Sequence, residues 1–188
     1  MTKYFMLDIE TLALTADAEV WAVALTEFSL HAAESHTHMF LLAPQRDRLW
    51  QSATAEWTKM HGDKDLFAKW EEGAAGQLLT PMQLYEALNA VLGAYGNENY
   101  EVWAKGAKVD FAIMQSYFND YVLPTPWHYR AERDLRTLQS VCKSLGMPEA
   151  DLEYNKPLIP HNAASDAEAQ ARTAARWLGY CQSLPRLS

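Results

Sequence analysis

The run from Tyr4 to Ile9 is apolar at nearly every position and breaks at Glu10 and Thr11. Apolar runs of strand length belong to strands buried on both faces, the kind found in the middle of α/β sheets with helices on either side. The first strand is therefore expected to be the central one, and the rest of the chain must supply neighbours for both edges and cover for both faces. With 188 residues, 49% of them apolar, seven Trp and nine Tyr, the chain can build one such core and is not disordered. A single domain spanning 1–188 is expected.

Glu19 to Leu30, carrying Val20, Trp21, Val23, Leu25 and Phe28, and Thr37 to Leu42 read as two further strands, so a meander of three antiparallel strands precedes any long helix. From Pro44 to Gln77 the pattern is mixed, with helical fragments around Trp50 to His61 and Leu66 to Glu72. Thr80, Pro81 and Gln83 then supply an N-cap, a first-position proline and a capping-box partner for a helix bearing Leu84, Leu88, Val91 and Tyr95. Glu101 to Ala104 reads as a strand, Val109 to Tyr121 as a helix burying Phe111, Met114, Phe118 and Tyr121, and Trp127 to Arg130 as a last short strand. Asp134 caps a helix that buries Leu135, Leu138, Val141, Cys142 and Leu145 and stops at Gly146 and Pro148. In the final helix Ala167, Ala171, Ala174, Leu178 and Cys181 share a small-residue face able to lie close on the sheet. The expected fold is α/β: a mixed five-stranded sheet, three antiparallel strands first and strand–helix alternation after, flanked by helices.

Only Cys142 and Cys181 are present, too few for a disulfide framework and outside any CxxC or CxxH zinc pattern, which suits a reducing cytoplasm. The N-terminal MTKYFMLDIE has no secretion-signal core, and no apolar run reaches membrane-spanning length, so a soluble cytoplasmic chain with no membrane partner is expected. His31, His36 and His38 lack partner cysteines or a fixed spacing and read as surface residues. The formal charge of −8 argues against binding nucleic acid merely by being basic.

Three features carry chemistry. Asp8 and Glu10 are two apart on a strand, so they point to one side; burying like charges together is costly unless a cation compensates them, and oxygen ligands suit Mg²⁺ or Mn²⁺. The plain alternative is an exposed strand end with both acids solvated. Asp110 follows a strand and a Gly-containing turn at the start of a helix, where α/β folds bind ligands and where a helix dipole also favours any acid. His161 and Asp166 would lie about 140° apart if both were helical. With Asn162 as N-cap they can converge, His161 from the loop and Asp166 from the second turn; a lone loop histidine is otherwise a surface residue.

The ordered set of FMLDIETL, VDFAIMQSYF and HNAASDAEAQA resembles the DEDDh branch of the DnaQ-like 3′-to-5′ exonucleases over nearly the whole chain. It looks most like the phage exonuclease A and bacterial exoribonuclease group, in which the turn at Trp103 to Gly106 and the RDLRTL segment from Arg133 to Leu138 also have counterparts. The resemblance implies an RNase H-like fold and hydrolysis of phosphodiester bonds with two divalent ions, Mg²⁺ or Mn²⁺. By motif position, Asp8 would bridge both ions, Glu10 and Asp166 would hold the one carrying the attacking water, Asp110 would support the second, and His161 would be the general base. Independently, a pair of divalent ions can stabilise both oxygens of an in-line displacement, and an imidazole can take a proton near neutral pH.

Ile9, Thr11 and Leu12 would hold the terminal 3′ hydroxyl and wedge the last base, as the superfamily's first motif does. Lys105, Gly106, Arg133 and Arg136 are candidate phosphate contacts, with solvated surface arginines the plainer reading of Arg133 and Arg136; Trp57 and His61, a turn apart, are candidates for stacking on a base, with core packing the plainer reading of Trp57. The expected partner is the 3′ end of RNA or single-stranded DNA, the products are nucleoside 5′-monophosphates, and a homodimer is left open. The alternatives are a proofreading-type DNA exonuclease, less expected because no segment here resembles a polymerase-binding tail, and an inactive nucleic-acid binding module. Residues 1–100 hold 14 Asp and Glu against 6 Lys and Arg, whereas residues 101–188 hold 10 of each, so a short 3′ end captured locally fits better than wrapped duplex.

Overall fold

Strand β1 (Lys3–Thr11) lies at the centre of a five-stranded sheet in the computed structural model, which describes residues 2–30, 35–43, 78–93 and 99–185. The other strands are β2 (Val20–Phe28), β3 (Ser35–Leu41), β4 (Tyr100–Ala104) and β5 (Glu132–Asp134), in the order β3-β2-β1-β4-β5. β1, β2 and β3 are antiparallel neighbours; β4 runs parallel to β1, and β5 parallel to β4. Helices α1 (Pro81–Gly93), α2 (Ala107–Asp120), α3 (Leu135–Ser144) and α4 (Ala163–Ser183) flank this mixed sheet, an arrangement consistent with an RNase H-like fold. No described helix is long and apolar enough to cross a membrane.

The period of two along β1 divides the core. Phe5 and Leu7 join Val23, Leu25, Val102 and Ala104 on one face, against Leu84 and Leu88 of α1 and Phe111, Met114 and Phe118 of α2. Met6 points to the other face with Ala22, Ala24 and Trp103, where α3 and α4 pack. Here the small residues meet: Ala163, Ala167, Ala171 and Ala174 of α4 are fully buried, as are Ala22 and Ala24 of β2. With no long side chains between them, helix and sheet approach closely, and Trp177 closes the far end of the stripe.

Local signals explain most boundaries. Thr80 and Gln83 form the reciprocal capping box, Thr80 N donating to Gln83 Oε1 at 2.9 Å and Gln83 N to Thr80 Oγ1 at 3.3 Å. Asn162 caps α4 by accepting from Ser165 N at 3.1 Å. α2 begins two residues before the expected Val109, because Gly106 takes a left-handed φ of 104° and turns the chain directly from β4 into the helix.

The last strand is a correction. Trp127 to Arg130 does not form it: Trp127 is buried against Phe111, Tyr129–Ala131 is a 3₁₀ turn, and the sheet is joined by Glu132–Asp134, which pairs with Val102 to Ala104. The apolar signal of Trp127 marks a core plug, while the actual strand is a polar edge whose side chains are engaged locally. The helical fragments expected at 50–61 and 66–72, like Tyr95, lie outside the described residues.

Candidate active site

β1 and α4 build the centre of the site. Asp8 and Glu10 stand on the α4 side of β1, opposite Ala24 and Ala22 of β2. The register shifts between Glu10 and Thr11, so the strand carries the pair to its very end before the ladder breaks. From the other side α4 brings Asp166 in its first turn, where the second turn was expected. Ligand atoms of Asp8, Glu10 and Asp166 all lie within 4.8 Å of one another. Among the described residues this is the one group of three that could hold a metal ion; His36 and His38 meet edge to face, ring centroids 4.5 Å apart, and belong to no such group.

Glu10 is 8% exposed, so the reading of a solvated strand end does not hold. Burial pushes its carboxyl up to about 8, with the charges of Asp166 and Asp110 adding to the effect. Asp8 is raised well above the usual carboxylate range, first by burial and then by Asp110, against the lowering effect of a hydrogen bond from Gln170. Asp110, in the first turn of α2, is pushed up to about 7 by burial although its own backbone N–H and Arg136 pull it down. Asp166 is raised by burial, which outweighs His161, the backbone N–H groups of His161 and Asn162, and Lys105. Four acids are thus crowded where water is scarce, an expensive arrangement that a cation would relieve.

The second acid owes its place to an aspartate in another element. Asp134 accepts from Thr137 N at 2.7 Å as the N-cap of α3, and its other oxygen accepts from Ala107 N at 2.8 Å at the start of α2. One carboxylate thereby ties two helix N-termini to the end of β5. Arg136 lays its guanidinium over Gly106, 3.4 Å from where a Cβ would stand, an ordinary contact, so it is the left-handed φ of 104° that makes the turn need glycine.

His161 precedes the Asn162 cap with a left-handed φ of 60°, a conformation that costs a non-glycine residue about 1 to 3 kcal/mol. The turn directs the backbone N–H groups of His161 and Asn162 at Asp166 and leaves the imidazole exposed beside that acid. Lys105, 4.5 Å over the Tyr154 ring, also faces Asp166.

The other expected contact residues are placed as follows. Arg133 is held by Glu101 in an ion pair of 3.1 Å and by the carbonyls of Arg130 and Glu132, so its guanidinium is committed away from the four acids. Leu12 is fully buried and its N–H donates to Glu19 O at 3.0 Å, so it stands in the core. Thr11 donates to Ala13 O at 2.7 Å, and Ile9 packs half-buried on the α1 and α2 side. Trp57 and His61 lie outside the described residues. Sequence reasoning missed Gln170, whose Nε2 donates to Asp8 Oδ1 at 2.7 Å; its spacing of one helical turn from Asp166 was the available signal.

The donor set suits a divalent cation. Its atoms are carboxylate oxygens, and Asp166 Oδ2 is buried with no hydrogen-bond partner among the described residues, a lone pair left for a cation to take. The family described as the 3′-5′ exoribonuclease Rv2179c-like domain has a model that matches residues 3–178 of the chain. No curated protein matches it.

Proposed function

The chain belongs to the 3′-5′ exoribonuclease Rv2179c-like family, and on that premise we propose that it removes nucleotides from the 3′ end of RNA by hydrolysis, releasing nucleoside 5′-monophosphates. We place it in the DEDDh branch of the DnaQ-like superfamily, near the phage exonuclease A group. The observation that carries this reading is the meeting of Asp8 and Glu10 from β1 with Asp166 from α4 inside 4.8 Å.

Asp8, Glu10 and Asp166 would hold the catalytic cation, Mg²⁺ or Mn²⁺, and Asp110, close enough to raise both β1 acids, would support a second. Two divalent ions, when bound, supply the charge that stabilises the attacking and leaving oxygens of an in-line displacement at phosphorus. His161 takes the proton of the attacking water; its exposed loop position lets it pass that proton to solvent. Lys105 and Arg136, one facing Asp166 and the other Asp110, receive the phosphates on either side of the scissile bond. Asp134 positions Asp110 by fixing the start of α2.

Matched RNA and DNA oligonucleotides, labelled at the 5′ end and bearing a free or blocked 3′ hydroxyl, test the reading in Mg²⁺, in Mn²⁺ and in EDTA. A ladder shortening from free 3′ ends of RNA, abolished by EDTA and by 3′ blocking, is expected. Cleavage that ignores the 3′ end or persists in EDTA contradicts it, and faster loss of DNA would transfer the activity to the proofreading type.

A further inference from the structure

We infer that Gln170 is a positioning residue for Asp8, its amide holding one carboxylate oxygen so that the group stays turned towards Glu10 and Asp166. The inference rests on the metal-dependent reading above. Gln170 lies one turn beyond Asp166 on α4, so the helix face that delivers the acid to β1 delivers the amide beside it. It is the long polar side chain on a stripe otherwise made of Ala163, Ala167, Ala171 and Ala174, and it spans the close gap to reach Asp8 Oδ1 at 2.7 Å.

Packing alone does not account for it. Gln170 is 7% exposed, and its Oε1 has no hydrogen-bond partner among the described residues, whereas Leu or Met would fill the space and strand no acceptor. A neutral donor also suits the place. Lys or Arg there would neutralise Asp8 and compete with a cation, and a further acid would add to the repulsion. Hydrogen bonds to the ligands of a metal typically set its affinity by about 10- to 100-fold.

The test is Mn²⁺ binding to the full chain without RNA, followed by electron paramagnetic resonance, for the parent, Gln170→Met, Gln170→Asn and, as a reference for a lost ligand, Asp8→Ala. Both Gln170 variants should weaken Mn²⁺ binding by about 10- to 100-fold while circular dichroism shows them folded, and higher Mn²⁺ should restore their RNA hydrolysis. Asn separates positioning from packing: it keeps an amide in the same space but falls a methylene short of Asp8, so a merely structural role leaves Mn²⁺ affinity where it was. Should Gln170→Met not fold, Gln170→Asn decides alone. Affinity within about twofold of the parent in a folded variant, with Asp8→Ala weakened, overturns the Gln170 assignment and leaves the metal site standing. A parent that binds Mn²⁺ no better than Asp8→Ala overturns both.

Discussion

Glu10 titrates at about 8 and Asp110 at about 7 in the folded chain, whereas unfolded carboxyls titrate near ~4. Between those limits the native state keeps protons that the unfolded state has lost, so stability falls as pH rises through the interval, and the loss is complete above the folded values. The melting temperature in EDTA should therefore drop from about pH 5 to about pH 8, and Mg²⁺ or Mn²⁺ should recover it at the upper end. Glu10→Gln should raise the metal-free melting temperature at alkaline pH more than at acid pH; a flat profile would mean the acids are not crowded in the way described. His161→Ala should slow RNA hydrolysis by about 10²- to 10⁴-fold with metal binding retained, and a loss under about tenfold would assign the proton to another group. Asp8, Glu10, Asp110, His161 and Asp166 were read as a set because the order of their motifs resembles a known family; taken singly, each had a plain local reading as well. Gln170 was not among them, because a glutamine in an alanine-rich helix looks like any solvated one until the sheet beneath it is known.

Among the elements, β1 and α4 build the centre of the site, and the end of β5 holds the start of α2 beside it. Ala167→Leu should push α4 off the sheet, costing about 1 to 3 kcal/mol by overpacking and separating Asp166 from Asp8, so hydrolysis should fall further than stability. Asp134→Ala removes acceptors from two helix N-termini; denaturant unfolding should show a loss of about 1 to 2 kcal/mol, with activity reduced through Asp110. The central strand, the capping box at Thr80 and the small-residue face of α4 could be read from periodicity and caps. β5 could not: its three residues are polar, and what makes Glu132–Asp134 a strand is pairing with Val102 to Ala104, a long-range fact that outweighs the local apolar pull of Trp127. Asp134 was visible as one helix cap; its second bond, to Ala107, depends on β4 and β5 lying side by side.

For the molecule as a whole, a chain of net charge −8 acting on a phosphate polymer must concentrate its attraction locally. With Lys105 and Arg136 as the cations at the site, the apparent affinity for single-stranded RNA should depend weakly on salt, with a log–log slope of about −1 to −2. A slope steeper than about −4 would reveal an extended basic track that this account lacks. The central claim is that one strand and one helix, far apart in sequence, jointly make the catalytic centre. Hydrolysis of a 5′-labelled RNA by Asp166→Asn in saturating Mg²⁺ tests it most directly. The account predicts shortening no greater than in an EDTA-treated control; hydrolysis at the parent rate would contradict it.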